Sequence, residues 1–445
     1  MKYLIETFGC QMNVHDSERI AGLLDHAGHE PAADESDADL VVLNTCSVRE
    51  HAAEKLFSRL GELRLAGSRN GQRPLLAVAG CVAQQEGERL LARAPYVDLV
   101  LGTQAVRRLP ALLEEAGRSG RHQVDVSAYD DPSFPLGVAR RSDPVKAYVT
   151  IIEGCNDFCS FCVVPYTRGH ERMRRKAEIL DEVREAVAAG RREVHLLGQI
   201  VNHYQDPEDP ACDFPGLLEA VDAIPGIARI RFASPHPRHT TDRLVEAIRD
   251  LPRVCKHLHL PVQSGSTRVL GVMRRRHTRE QFLALVDRLR AAVPGIALST
   301  DMIVGFPGET DADFEDTLSL VRQVGFHAMF SFKYSQRPNT LAAKRLPDDV
   351  REEEKGRRLS ALQEVQRGIQ LGLNQAMVGR EVEVLVDSQS RRRTEDVSGR
   401  TTGNVVVNLP GAATLIGRLV TVRVTAAGPN SVRGLGARLG VRARG

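Results

Sequence analysis

From Lys2 to about Ser335 the chain repeats one unit, a short apolar segment followed by a stretch long enough for a helix. KYLIETF, DLVVLN, PLLAVAG and VDLVLG open the first four units. A strand that is apolar at nearly every position, rather than at alternate ones, is buried on both faces, which calls for a parallel sheet covered by helices. Helical spacing follows at Ser17 to His26 (Ile20, Leu23, Leu24), at about Arg49 to Leu65 and at about Gln84 to Arg93. AYVTIIEG, REVHLLGQ, RIRFAS, HLHLPV, ALSTDMIVGF and HAMFSFKYS open six further units. Between them, Ala177 to Ala189 aligns Leu180, Val183, Ala186 and Val187 on one face and ends at Gly190. Six sequential strand–helix units make a partial barrel, because a closed barrel of this kind has eight.

The pattern breaks twice. Asp130 to Asp143 is rich in Pro and charge and reads as a linker. Beyond a charged helix at Asp348 to Asn374, EVEVLVDSQ, NVVVNL and LVTVRVTAAG are short strands between Gly, Asn and Ser turns, which fits a small five-stranded barrel. The expected fold class is therefore α/β. It comprises an N-terminal parallel-sheet domain (1–118), a linker (119–143), a partial (β/α)6 barrel (144–373) and a small all-β barrel (374–440).

Charge is unevenly placed. The net charge is +3, yet the residues from Arg380 onward hold 11 Arg and no Lys against five acidic residues, a net +6, leaving −3 for the rest. A basic tail on a mildly acidic body fits either a polyanion-binding module or a solvated Arg-rich surface. No apolar run reaches the roughly 18–20 residues that span a bilayer. The opening MKYLIETFGC has no apolar core of a signal peptide, so a cytoplasmic protein without a membrane partner is expected.

Six of the eight cysteines are placed in a way that suggests chemistry. Cys10, Cys46 and Cys81 each directly follow one of the first three strands, where open parallel sheets build their sites. Thiolates converging there suit an iron–sulfur cluster, a zinc site with a further ligand, or simply buried small residues. Cys155, Cys159 and Cys162, in GCNDFCSFC, follow the first strand of the six-unit repeat, at the face where barrel enzymes act. Three closely spaced thiolates can hold three irons of a four-iron cluster and leave the fourth iron free; with His170 as a fourth ligand, spacing alone also permits zinc. Cys212 and Cys255 match neither arrangement and read as structural, and His257 and His259 read as strand residues. Gln263, Ser264 and Gly265 end the fourth barrel strand on the same face.

GCNDFCSFC after a first strand resembles the radical S-adenosylmethionine superfamily. TFGCQMN, NTCSVRE, AGCVAQQEGE, EGCNDFCSFCVVPYTRG, LLGQ, SPHP, HLPVQSGS and IVGFPGET, in that order, resemble its methylthiotransferase family over the whole chain. The resemblance implies two [4Fe-4S] clusters. One, on Cys155, Cys159 and Cys162, binds S-adenosylmethionine and on reduction yields a 5′-deoxyadenosyl radical. The other, on Cys10, Cys46 and Cys81, holds or donates sulfur. S-adenosylmethionine is then both methyl donor and radical source, and the C-terminal segment is a TRAM domain, an OB-like RNA-binding barrel. The implied reaction places a methylthio group on carbon-2 of N6-dimethylallyladenosine at position 37, in the anticodon loop of tRNA, by a monomeric enzyme served by an electron donor and a sulfur source that the sequence does not name. Other members act on threonylcarbamoyladenosine in tRNA or on a ribosomal-protein Asp. The chain departs from the family pattern at Gln199-Ile200-Val201-Asn202 and in RGHERMRR, and the resemblance assigns no catalytic side chain.

Overall fold

In the computed structural model the described residues are 1–47, 50–65, 73–127, 139–390 and 393–439. Part of the expected linker lies outside them (residues 128–138), as do Arg391 and Arg392 of the basic run. The N-terminal sheet contains β1 (Lys2–Phe8), β2 (Glu30–Pro31), β3 (Leu40–Thr45), β4 (Leu75–Gly80), β5 (Leu99–Leu101) and β6 (Gln123–Asp125). All pairs are parallel, in the order β2-β1-β3-β4-β5-β6. The four continuous apolar runs are its central strands. The two edge strands, of two and three residues, are too short and polar to show a pattern.

The barrel half begins with β7 (Lys146–Thr150). A two-residue ladder follows, β8 (Ile152–Glu153) against β9 (Arg172–Met173), antiparallel, and it clamps the base of the Cys155–Cys162 loop. Then come β10 (Glu193–Leu197), β11 (Arg229–Phe232), β12 (His257–His259), β13 (Ala297–Val304) and β14 (Ala328–Lys333). Two parallel triplets, β7-β10-β11 and β12-β13-β14, are joined by a parallel bridge between Ile230 and Val254. The six strands thus form the expected open, partial barrel.

Two segments flank its open side. The helix Gln11–His26 packs on β7, and the 24-residue helix Glu352–Gln375 packs on β14. The first of these starts six residues earlier than its apolar periodicity suggests. Its leading turns bury Met12, Asn13, His15, Asp16, Ser17 and Glu18, so the face that packs is polar and invisible to a hydrophobic pattern.

The C-terminal strands β15 (Glu381–Gln389), β16 (Asp396–Thr401), β17 (Val406–Pro410), β18 (Leu419–Ala427) and β19 (Val432–Leu439) close in the order β15-β16-β17-β19-β18. Its interior is almost entirely valine, with Val384, Val386, Val397, Val407, Val420, Val422 and Val424 filling a space too narrow for larger side chains. Among the described residues no helix is long and apolar enough to cross a membrane.

The small barrel docks beneath the large one. Arg229 donates to the carbonyl of Arg400, and Arg231 donates to the carbonyls of Thr401 (2.8 Å) and Thr402 (3.3 Å). The amide of Lys256 donates to Thr402 Oγ1 at 2.9 Å, and Lys146 pairs with Asp387 at 2.7 Å. Every barrel residue in this set lies at or near the start of a strand, so the module sits at the opposite end from the cysteine loop. Buried Glu193 anchors the junction, accepting from Arg231 Nε at 3.0 Å and lying 2.6 Å from His195 Nε2. Burial works against its charge, but Arg231 and His195 outweigh that and hold the carboxyl well below the usual range. A depressed carboxylate stabilises the fold above the ordinary glutamate pKa, and that stability is lost as pH falls through and below it. Glu193→Ala leaves Arg231 buried without its carboxylate. Urea unfolding should show a loss of about 3–5 kcal/mol at pH 7.5, and the gap to the parent protein should narrow on acidification.

Candidate active site

Strand register brings the first cysteine triad together. Phe8 lies opposite Thr45, and Thr45 opposite Gly80, so Cys10, Cys46 and Cys81 leave three adjacent strands at one level. Cys10 caps the helix Gln11–His26, with Asn13 accepting from its backbone amide at 3.3 Å. Gly80 has φ +92°, and a Cβ there would overlap Asn44 and the carbonyl of Thr45. Only glycine lets the chain turn Cys81 into the group.

Cys46 hydrogen-bonds to both Cys10 and Cys81, which pushes Cys10 down to about 6 and Cys81 to about 7, while Cys46 itself is pushed up. Burial opposes both downward shifts, and the positive charge of Arg168 adds to them. Thiols poised to ionise next to a fixed cation fit a metal cluster; a buried apolar role would not need the charge.

The second triad is organised by its loop. Cys155 N donates to the carbonyl of Gly169 at 3.1 Å, closing the loop above the β8–β9 clamp. The amide of Asp157 donates to Cys155 Sγ at 3.5 Å, and Arg275 Nη1 donates to Cys159 Sγ at 3.5 Å. Without a cluster, burial pushes Cys155 up to about 11 and Cys162 to about 12. His170 does not join these thiols. It lies on the surface with Nδ1 3.1 Å from Asn156 Oδ1, so the fourth ligand that zinc would need is missing. Among the described residues no three His, Cys, Asp or Glu side chains are gathered tightly enough for a single metal ion. A four-iron cluster binds each thiolate through a different iron, so three thiols per group leave one iron open.

A cavity of about 730 Å³ lies where the end of β1 faces the barrel's cysteine loop. Thr7, Phe8 and Gly9 at the end of β1 form one wall, and Phe161, Cys162 and Val163 form another. Gln263, Asp301, Ile303, Phe332 and Tyr334 come from the carboxyl ends of the barrel strands, and Leu359 and Gln363 come from the long helix. Lys55, Lys333 and Arg337 also line it, giving the apolar chamber a cationic border. Gln263 sits at φ +80° and is fixed by backbone bonds to Asp301 and Ile303.

Residues 2–102 match the family described as "Uncharacterized protein family UPF0004", residues 149–321 the "Radical SAM superfamily", and residues 375–435 the "TRAM domain". A tRNA-2-methylthio-N(6)-dimethylallyladenosine synthase of Moorella thermoacetica is 48% identical over 96% of both chains. Synthases of the same name from Alkalilimnicola ehrlichii (47%; 97% of this chain, 96% of the other) and Neisseria gonorrhoeae (45%; 97% and 98%) are similarly close. The chain belongs to the tRNA-2-methylthio-N(6)-dimethylallyladenosine synthase family. Its barrel fold is shared with a radical S-adenosylmethionine methyltransferase, TsrM, from Kitasatospora setae, at a TM-score of 0.54 and 15% identity over 77% of this chain and 74% of that one.

Within this synthase family fold, Cys162 lines the cavity itself and Cys10 directly follows its lining residue Gly9. Cys212 and Cys255 are buried elsewhere. His257 Nε2 and His259 Nδ1 both contact Ser299 Oγ, at 3.0 and 2.9 Å. Sequence reasoning passed over Asp301, Phe332, Tyr334, Arg337, Leu359 and Gln363, which no motif marks. It also gave no role to Arg168 or Arg275, although both lie close to the cysteine motifs in sequence or space. Gly80→Ala should cost roughly 1–3 kcal/mol through strain at positive φ. Because it displaces Cys81, iron bound after anaerobic reconstitution should drop from about eight to about four per chain.

Proposed function

We propose that this chain inserts a methylthio group at carbon-2 of N6-dimethylallyladenosine at position 37 of tRNA, in the cytoplasm, as a monomer. The observation that carries the reading is the cavity bounded by Cys162 of the barrel loop on one wall and, on another, by Thr7, Phe8 and Gly9, which directly precede Cys10. When bound, two [4Fe-4S] clusters and S-adenosylmethionine would supply the radical, methyl and sulfur chemistry that an unactivated aromatic carbon requires. Cys155, Cys159 and Cys162 would hold the cluster that binds S-adenosylmethionine, and Cys10, Cys46 and Cys81 would hold the sulfur-handling one. The domain division at residues 143 and 373 belongs to the same proposal, whereas the expected first boundary at 118 moves beyond Asp125, because β6 pairs with β5 in the N-terminal sheet.

The chain's own residues bind and enclose. Phe8, Phe161, Ile303, Phe332 and Leu359 give the chamber walls that exclude water and suit an adenine carrying an apolar substituent. Lys55, Lys333 and Arg337 suit the flanking phosphates of a single-stranded loop. Phe330 and Phe332 are exposed along β14, where an unstacked base can lie on an aromatic face. Arg393, Arg418, Arg423 and Arg438 are exposed on the small barrel and extend the cationic surface to the far end of the molecule. The dimethylallyl substrate is favoured over threonylcarbamoyladenosine by the name shared by the similar full-length relatives.

Nucleoside mass spectrometry of tRNA after reaction with the reconstituted protein tests the reading. The Cys10→Ala/Cys46→Ala/Cys81→Ala protein should keep about four iron and still release 5′-deoxyadenosine, but form no methylthio product. The Cys155→Ala/Cys159→Ala/Cys162→Ala protein should also keep about four iron and release no 5′-deoxyadenosine. Methylthiolated nucleoside from the first variant at parental yield would sink the division of labour. Arg418→Glu/Arg423→Glu should weaken tRNA binding and flatten its dependence on salt. This substitution is preferable to truncation, which would uncover Arg229, Arg231 and Glu193 at the junction.

A further inference from the structure

Arg168 lies six residues beyond Cys162 but turns away from the barrel into the N-terminal domain. It is 5% exposed, and its Nη2 donates to Asp16 Oδ2 at 2.7 Å. Its backbone is held from the same side: its carbonyl accepts from Gln104 Nε2 at 3.2 Å, and that of Thr167 accepts from Thr103 Oγ1 at 2.6 Å. Burial disfavours the guanidinium's charge, yet Asp16, Cys81 and Cys10 together keep it firmly protonated. The turn Val164–Thr167, which leads directly into Arg168, packs against the helix that begins at Cys81, so the barrel half delivers a buried cation beside the thiols of the other half.

Burying an ion pair is costly, and an apolar pair of the same shape often serves packing as well or better. Three thiolates, and the bridging sulfides of the iron cluster they would hold, gather negative charge in a site shielded from water. Asp16 cancels much of Arg168 in the isolated pair, but the guanidinium still acts on both Cys10 and Cys81. Asp16 acts on Cys81 in the opposite sense. Net charge and hydrogen bonding around the sulfurs set the potential of such a cluster.

We propose that Arg168 is a positioning residue that raises the reduction potential of the cluster held by Cys10, Cys46 and Cys81, with Asp16 as the opposing partner that trims the effect. The inference rests on the reading that these three cysteines hold a cluster. It makes the barrel loop a participant in the chemistry of the neighbouring domain, so the second cluster has its working potential only when the two domains are docked.

The test is a redox titration followed by electron paramagnetic resonance on full-length protein carrying Cys155→Ala/Cys159→Ala/Cys162→Ala, so that only the N-terminal cluster contributes. Iron content and thermal unfolding are recorded for each variant. Arg168→Met should move the midpoint to a more negative potential, Arg168→Lys should stay close to the parent, and Asp16→Asn should move it to a more positive potential. If Arg168→Met loses its iron while Arg168→Lys keeps it, the charge is still the deciding property and the proposal stands. Unchanged potential in Arg168→Met, equal shifts in Met and Lys variants, or loss of iron from both would overturn it and leave Arg168 a purely structural pair. If the parent of this series binds no iron at all, the cluster reading itself fails, which is a separate outcome from a cluster that is present but insensitive to Arg168.

Discussion

The catalytic arrangement depends on the polar docking of the helix Gln11–His26 against the first barrel strand. His15 Nδ1 lies 2.8 Å from Thr150 Oγ1, and its Nε2 lies 3.4 Å from Glu182. Glu182 is gripped by Arg174 at 2.6 Å and Arg141 at 2.7 Å, and Asp16 by Arg168 at 2.7 Å. Burial resists the charge on Glu182, and His15, Arg174 and Arg141 overcome it, holding the carboxyl well below its normal range. An apolar seam would bind the domains at lower cost but would tolerate sliding. Directional bonds between buried charges fix one register between the two domains.

The same economy of placement explains the two ends of the barrel. Parallel strands put their carboxyl ends on one face, so a loop after β7 and the turns after β12 and β13 converge without further design. The opposite face would expose Arg229, Arg231 and Glu193 at the starts of β11 and β10. The C-terminal module covers these charges with backbone carbonyls from Arg400, Thr401 and Thr402. The helix Glu352–Gln375, roughly 36 Å long at 1.5 Å per residue, connects the two levels. Near its start Lys355 pairs with Asp348, and near its end Asn374 donates to the carbonyl of Gly428. RNA reaching from the exposed arginines of the small barrel to the chamber therefore has to pass along the flank of the large one.

The two triads differ in their electrostatics. Cys10 and Cys81 are drawn down by Cys46 and a buried cation, whereas burial pushes Cys155 and Cys162 up in the absence of metal. Each group nevertheless has one buried arginine close by, Arg168 for the first and Arg275 for the second. A pair of charged clusters facing one apolar space needs such fixed counter-charges, since solvent cannot supply them.

What the sequence alone determined follows from local periodicity. Apolar runs of strand length located the four central strands of the sheet and the six of the barrel, and the places of the six cysteines after those runs located both triads. Register then needed no further information, because adjacent parallel strands ending in cysteine bring the thiols to one level. The tertiary structure decided what periodicity cannot carry. The first helix begins at Gln11 because its buried face is polar, and β2 and β6 exist because neighbouring strands offer free edges. Arg168 acts on thiols more than 80 residues away along the chain, and Asp301, Phe332 and Arg337 meet at a cavity only after the strands have folded side by side. Their roles depend on long-range contact, for which an isolated side chain leaves no mark in the sequence.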